Sequence, residues 1–319
     1  MTSEFEIKGV ADVIKIADET EKHLEGLYNN KTNFLQGIWF RGQQDKCWNL
    51  VPRVFRRNNC NQLIYDEFNM FKHIQLIKPE YRKIYNTTFE WLCLLQHFGL
   101  PTRLLDWSEG ILFALYFAVS DTEEDTKDKD ARLFALSSAK LNLNVNPSRR
   151  GSIYLPDDEE VIARAEIVNK SDIYRLFELI TYEYKFGKQI VGKLEEHVKN
   201  YQKNNCDEKL WEKLSYPVAV YPYRLNNRMV FQQSVFTING GSYAPLAPNP
   251  IAQPLMLDNL NKKLPGNDKF LKSFVIPQEY KSKIKDELNR LGIHKGALFP
   301  ELEHQTSYIN EKYMKKNHP

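Results

Sequence analysis

Cysteine is scarce in this sequence, and its spacing excludes a disulfide framework. The 319 residues include four cysteines, Cys47, Cys60, Cys93 and Cys206, and no C-x-x-C pair occurs. Isolated thiols are typical of proteins that remain in a reducing compartment. We therefore expect a cytoplasmic protein whose fold does not depend on disulfide bonds.

Long apolar runs are also absent. The longest, Ile111–Val119, has nine residues, whereas a membrane-spanning helix needs about 20. The N-terminal segment, residues 1–10, is polar and has no apolar stretch of the kind found in secretory signals. The sequence therefore predicts a soluble protein without a membrane partner.

A strong charge of either sign is missing as well. The formal net charge is +3, and the basic residues are spread along the chain. This pattern does not predict a general nucleic-acid surface, but one local site for a phosphate-sized anion remains open. The chain is 42% hydrophobic, enough for a large core. We expect a single domain over residues 1–319, with an irregular, partly helical insertion at residues 140–215.

Local patterns predict where several elements begin and end. Ile38–Phe40 is short, bulky and apolar, which favours a buried strand with Arg41 at its end. Thr87 and Glu90 have the spacing of a capping box, so a helix should begin there and stop at the glycine and proline that follow. His97 would then lie in the last helical turn, where the helix dipole favours the imidazolium form.

Later segments complete the predicted fold. Ile111–Val119 is apolar on all sides, which predicts a buried helix, with Asp106 as its N-cap. Tyr216–Ile238 reads as two strands joined near Asn226, the second carrying Arg228. Together the patterns predict an α/β (α+β) fold, in which helices flank a mixed, mostly antiparallel sheet.

Two motifs about fifty residues apart place charge among large apolar side chains. The first is Phe40-Arg41-Gly42, and the second extends from Gln96 to Trp107. Charge is seldom buried without a partner. Four side chains should therefore contact one another or a ligand: Arg41, His97, Arg103 and Asp106.

Each of these residues has a functional and a structural interpretation. The planar guanidinium of Arg41 suits paired phosphate oxygens, and Gly42 would let a ligand approach the main chain; alternatively, Arg41 bridges buried protein groups. His97 could act as a general base or bind a ribose hydroxyl, or it could bond only to nearby carbonyls. Arg103 and Asp106 could form a local ion pair, or Arg103 could face a ligand while Asp106 orients it.

Further polar residues are candidates for the same pocket. The hydroxyl of Thr102 could contribute to it. On the predicted second strand, Arg228 and either Gln232 or Gln233 would share a face with Arg41. Glu301 is an acidic candidate for stabilising positive charge in a transition state, although a surface carboxylate after a proline turn is the simpler interpretation.

A metal site is not predicted. Cys93 and His97 are spaced i, i+4 and could form a nucleophile and its base or half of a zinc site. No second pair of ligands has suitable spacing, and leucines flank Cys93 on both sides.

The chain resembles the FRG-domain family, named for its Phe-Arg-Gly motif. The resemblance extends over roughly residues 10–310 and rests on four blocks. These are Trp39–Gly42 with Trp48, Leu50 and Pro52; His97–Trp107 with Ala114–Ala118; Arg228 with Gln232, Gln233 and Phe236; and Gly292-Ile293 with Leu298–Leu302. Ser234 departs from the glycine that the pattern leads us to expect after the paired glutamines.

The first motif is also similar to the first motif of arginine-type ADP-ribosyltransferases, in which the arginine contacts the phosphates or ribose of NAD. That resemblance implies an ADP-ribosyltransferase-like fold and an enzyme that cleaves NAD, uses no metal and transfers ADP-ribose to a protein, a nucleic acid or water. It further implies a bacterial toxin or an anti-phage defence effector. A non-catalytic module that binds a nucleotide or another ligand, such as a modified peptide, in the same pocket remains an alternative.

Overall fold

A computed structural model describes residues 5–24, 37–120, 126–147, 151–166, 216–240, 242–243, 251–252 and 256–314. The strands are β1 (Ile38–Gln43), β2 (Leu104–Ser108), β3 (Ala131–Ser137), β4 (Val218–Val220), β5 (Ser234–Ile238), β6 (Ser242–Tyr243), β7 (Ile251–Ala252) and β8 (Leu271–Ile276). The first helices are α1 (Val10–Leu24), α2 (Glu67–Ile77), α3 (Thr88–His97), α4 (Ile111–Val119), α5 (Ser138–Val145) and α6 (Glu159–Glu166). The later helices are α7 (Asn227–Phe231), α8 (Leu257–Lys263), α9 (Gln278–Arg290), α10 (Lys295–Leu298) and α11 (Leu302–Tyr313).

Six strands form the main sheet, in the order β4-β5-β2-β1-β3-β8. Every pairing between them is antiparallel, and β6 pairs with β7 in a separate two-stranded ribbon. Helices cover both faces of the sheet. The predicted fold class, an α/β arrangement with helices around a mostly antiparallel sheet, is confirmed.

Alternation along the strands divides the core into two clusters. Trp39 packs with α3, α5 and α6 on one face of the sheet. The next residue, Phe40, packs with α1, α4 and α9 on the other face. Successive side chains of a strand point to opposite faces, so Arg41 and Gln43 share the face of Trp39.

Several predicted elements are confirmed. β1 begins at Ile38, and α3 has the predicted capping box, in which Thr87 accepts from the Glu90 N–H and Glu90 accepts from the Thr87 N–H. Gly99, two residues after α3, has a φ of +84°, a conformation that glycine adopts without steric cost. α4 is largely buried, as its all-round apolar sequence predicts.

Two local predictions were wrong. Asp106 lies within β2 and does not cap α4, which follows Gly110 without a side-chain cap. The segment predicted as a second strand carrying Arg228 is the short helix α7, because the Asn226 side chain accepts from the Met229 N–H and caps a helical turn there. Arg228 and Gln232 are therefore not neighbours on one face of a strand.

The predicted insertion lies partly outside the described residues, which do not include 167–215. Its described portion contributes to the core, since Leu141 and Val161 belong to the cluster on the Trp39 face. The single-domain organisation stays a prediction. None of the described helices has both the length and the apolar character needed to cross a membrane.

Candidate functional site

The main sheet opens between its two central strands. β1 and β2 pair at one position, Phe40 with Ser108, whereas β1 and β3 pair at six positions and β2 and β5 at five. Beyond that one pair, residues 41–43 and 104–106 line a cleft of about 340 Å³, together with the C-terminal end of α3. This arrangement leaves main-chain and side-chain polar groups of both strands available to a ligand.

The cleft is basic. Of the described residues that line it, four are arginines and one is acidic. These residues are Arg41, Arg53, Arg56, Arg228 and Asp106. Guanidinium groups form paired hydrogen bonds with phosphate and carboxylate oxygens, so the lining favours an anionic ligand.

Arg41 occupies the point where the two strands separate. Its side chain is 17% exposed, and its Nη1 donates to the main-chain oxygen of Asp106 at 2.6 Å and lies 3.9 Å from Asp106 Oδ2. Its Nε is buried and, within the described part of the chain, has no hydrogen-bond partner. Burial lowers the pKa of Arg41, an effect that Asp106 opposes and Arg56 reinforces. The side chain thus keeps unused hydrogen-bonding capacity beside the cleft.

A hydrogen-bond chain positions Asp106, the acidic residue of the cleft. Gln96 Nε2 donates to Asp106 Oδ2 at 2.8 Å, and the Thr102 hydroxyl donates a short hydrogen bond to Gln96 Oε1. The Asp106 side chain is 56% exposed, whereas Thr102 is buried and does not line the cleft. Thr102 therefore acts on the site through Gln96 and not by direct contact.

His97 connects the cleft to the C-terminal helices. Its Nε2 lies 3.5 Å from Glu301 Oε1, and its main-chain oxygen accepts from Arg228 Nη1 at 3.3 Å. Burial lowers the pKa of His97, the positive charge of Arg228 lowers it further, and Glu301 opposes both effects. The pKa of His97 is thus lowered, the opposite of the direction expected from its place in the last turn of the helix. A neutral imidazole can both donate and accept a hydrogen bond.

Glu301 lies beside His97 but does not line the cleft. Its Oε2 is buried and has no hydrogen-bond partner among the described residues. The carboxylate thus approaches the site from the segment between α10 and α11. A ligand would meet Glu301 through His97 or after a local rearrangement.

Arg103 lies away from the cleft, in a fully buried ion pair. Its Nε and Nη2 donate to the Glu67 carboxylate at 3.0 and 2.5 Å, and its Nη1 donates to the main-chain oxygens of Arg164 and Gly240. The structure therefore does not bring Arg103 to the ligand or pair it with Asp106. The physical reason is that Glu67 of α2 supplies a bidentate partner for its guanidinium.

Gly42 lines the cleft, but another contact accounts for its lack of a side chain. A Cβ at this position would lie 2.0 Å from the Ala114 oxygen and 2.6 Å from the Ala118 nitrogen. The glycine thus allows β1 to pack closely against α4. This contact explains Gly42 without the ligand approach that the sequence suggested.

The two glutamines of the third block have different surroundings. Gln232 is buried, lines the cleft and donates to the Leu298 oxygen at 3.1 Å. Gln233 is exposed, has a φ of +48° and lies outside the cleft lining. Ser234 begins β5 opposite Ser108. The positive φ falls one residue before Ser234, so the serine in place of the expected glycine causes no strain there.

Sequence reasoning assigned no role to several residues of the site, among them Gln96, Arg53 and Arg56. Gln96 positions Asp106. Arg53 and Arg56 face the cleft from the 3-10 turn Arg53–Phe55 and the residue after it. The sequence did contain a signal for these two arginines. They follow Pro52 of the first block and are three residues apart, a spacing that places both on one side of such a turn.

The Cys93–His97 pair does not resemble a nucleophile and its base. Cys93 is 4% exposed, and burial raises the pKa of its thiol well above the ordinary value, which favours the unreactive thiol form. Among the described residues, no group of three or more His, Cys, Asp or Glu side chains is placed to hold a metal ion.

These observations define an α/β protein with an arginine-lined cleft at an opening in its sheet. The family model described as the FRG domain matches residues 36–127, which extend from β1 past α4. The chain thus contains an FRG domain, and the resemblance read from its first two blocks is confirmed. No curated protein and no solved structure matches the chain.

Proposed function

We propose that the cleft binds a nucleotide through its phosphates and that its ligand is NAD, whose glycosidic bond the protein cleaves. The supporting observation is the collection of four arginines around one carboxylate at the opening of the sheet. Arg41 is central because its Nε has no partner among the described residues and its Nη1 already faces β2. A pyrophosphate offers the paired oxygens that such a guanidinium binds.

Asp106 is the residue best placed to support the chemical step. The bond between C1′ of the ribose and the nicotinamide nitrogen breaks, and its electron pair neutralises the positive pyridinium ring. Water or an acceptor nucleophile then forms the new bond to C1′ and releases a proton. The transition state has oxocarbenium character, and a fixed carboxylate stabilises such positive charge. Gln96 holds Asp106 in place.

His97 would contact the ribose in this proposal. Its lowered pKa leaves the imidazole neutral near pH 7, so it can hydrogen-bond a hydroxyl. Glu301 would orient the ring through its contact with Nε2. These roles make His97 a binding group and Glu301 a positioning residue.

A non-catalytic nucleotide-binding module is the second candidate. Asp106 lies within 3.9 Å of the positively charged Arg41, which offsets part of its charge, and Glu301 does not line the cleft. Both facts favour binding without turnover. In that case the arginines would still bind phosphate, and the protein would pass the signal to a partner.

The test measures nicotinamide release from NAD by the purified full chain. We expect release by the wild type, a loss on the order of 100-fold or more in Asp106→Asn, and loss of NAD binding in Arg41→Ala. Arg290→Ala, an exposed arginine at the end of α9, is the matched control and should behave as the wild type. Binding without release by a folded wild type supports the second candidate, and absence of binding rejects both.

A role as a bacterial toxin or defence effector follows from the resemblance to ADP-ribosyltransferases and belongs to the same proposal. Expression in bacteria should then arrest growth, and Arg41→Ala should remove the arrest while the protein still accumulates. Growth arrest that persists in a soluble Arg41→Ala variant would contradict this role.

A further inference from the structure

Gln43 borders the cleft two residues after Arg41, on the same face of β1. Its side chain is 4% exposed. Its Oε1 is buried and has no hydrogen-bond partner within the described part of the structure. Buried polar atoms are almost always hydrogen-bonded, because leaving one unpaired is costly. An orphaned acceptor beside a cleft therefore points to a donor that arrives with the ligand.

The orientation of the Gln43 amide follows from its other contact. Its Nε2 donates to the main-chain oxygen of Asn49 at 3.4 Å. A flipped amide would place two oxygens against each other, so the hydrogen-bond network assigns Oε1 to the unpaired position. The group that completes the site must consequently be a hydrogen-bond donor, either an N–H or an O–H.

Arg41 lacks the opposite kind of partner, a hydrogen-bond acceptor. Its unpaired Nε is a donor, and a spacing of two residues along a strand places the two side chains roughly 7 Å apart at their Cα atoms. A ligand that satisfies both would carry an acceptor oxygen near Arg41 and a hydrogen-bond donor near Gln43. The half-buried Trp48 also lines the cleft, and planar rings stack on such side chains.

We propose that Gln43 is a specificity residue that accepts a hydrogen bond from an N–H2 group on a planar ring of the ligand. This inference rests on the proposed nucleotide function and deepens it. Two parts of NAD carry this chemistry, namely the exocyclic amine of adenine and the carboxamide of nicotinamide. Both are N–H2 groups conjugated to a ring, and the acceptor Oε1 fits either one.

Calorimetric titration of the full chain distinguishes the two sources. The ligands are NAD, its hypoxanthine analogue, which replaces the adenine amine by oxygen, and its nicotinic acid analogue, which replaces the amide N–H2 by oxygen. The wild type should bind one of the two analogues about 10- to 100-fold more weakly than NAD, because that analogue places an oxygen against Oε1. The weaker analogue identifies the group that Gln43 contacts.

Two variants test the residue itself. Gln43→Met removes the acceptor at similar volume and should bind NAD and the disfavoured analogue with equal affinity. Gln43→Glu keeps acceptor oxygens and should keep the discrimination, while the added negative charge beside Arg41 weakens nucleotide binding in general.

The outcomes separate this inference from the proposed function. Equal binding of NAD and both analogues by the wild type overturns the role of Gln43 and leaves the nucleotide site intact; a ligand hydroxyl or water would then satisfy Oε1. Discrimination that survives in a folded Gln43→Met also overturns it. If the wild type binds none of the three dinucleotides, the proposed function fails and this inference fails with it.

Discussion

Two arginines from the two motifs show how surroundings decide the role of one side-chain type. Arg103 is completely buried and donates to the Glu67 carboxylate and to two main-chain oxygens. Arg41 is partly exposed and keeps one N–H unpaired among the described residues. Both stand among apolar neighbours in the sequence, so the sequence alone assigns them equal roles. The contact with Glu67, a residue distant in the sequence, identifies Arg103 as a structural residue. Arg41, with its N–H unpaired among the described residues, remains a candidate for ligand binding.

His97 should make the stability of the protein depend on pH. Its folded pKa lies below the ordinary value, so below about pH 6.5 the unfolded chain binds more protons than the folded one. This contribution to the free energy of unfolding is present above that pH and is lost as the pH falls towards the folded pKa. His97→Gln should therefore lose less stability than the wild type between about pH 7 and about pH 5.

Urea denaturation at the two ends of that range measures this effect. His73→Gln, at an exposed position on α2, is the matched control and should follow the wild type. An identical pH dependence in the wild type and His97→Gln would show that Glu301 offsets the effects of burial and Arg228 on His97.

At the scale of elements, β1 is central to the site because one of its faces borders the cleft and the other packs against α4. One face carries Trp39, Arg41 and Gln43 towards α3 and the cleft. The opposite face carries Phe40 and Gly42 towards α4. The Phe-Arg-Gly motif thus combines a core residue, a cleft residue and a packing contact in three successive positions.

Gly42→Ala should destabilise the fold by pushing β1 away from α4. The new Cβ would meet the Ala114 oxygen at 2.0 Å, and overpacking of this kind costs about 1–3 kcal/mol or more. Thermal denaturation of the purified variant measures the loss. Gly37→Ala is the matched control, because a Cβ there meets nothing within 4 Å. Equal melting temperatures for the two variants would mean that α4 can move to make room.

At the scale of the whole molecule, the Arg103 ion pair connects distant parts of the chain. It joins the residue just before β2 to Glu67 of α2, to the last turn of α6 through Arg164 and to the segment after β5 through Gly240. These contacts hold the layer that packs on the Trp39 face of the sheet. The cleft lies nearby, because Leu104, the residue after Arg103, lines it.

Glu67→Gln should therefore lower global stability without removing the cleft. Removing the charge of one partner leaves the buried guanidinium uncompensated, and breaking such a pair costs about 3–5 kcal/mol. Urea denaturation should show this loss, whereas nucleotide affinity of the folded fraction should be unchanged. Glu80→Gln, whose carboxylate faces solvent beside Lys78 at 3.6 Å, is the control and should cost less than about 1 kcal/mol. Equal losses of stability in Glu67→Gln and Glu80→Gln would contradict a special role for the Arg103 ion pair.

Local patterns predicted much of the fold because local physics controls those features. The capping box of α3, the start of β1 and the burial of α4 each depend on residues within a few positions of one another. The helix α7 escaped prediction because Asn226 and Asn227 also suit a turn between strands. The capping residue Asn226 is visible in the sequence, but the local pattern does not distinguish a helix cap from a turn between strands.

The sequence by itself determined the FRG motif blocks, the alternation of β1 and the presence of charge that needed partners. The tertiary structure decided which partners those charges found. In the folded chain Arg103 pairs with Glu67, Gln96 donates to Asp106, and β1 separates from β2 beside Arg41 and Gln43. The physical reason is that capping and strand alternation depend on neighbouring residues, whereas ion pairs and clefts depend on contacts between residues far apart in the chain, which no local spacing encodes.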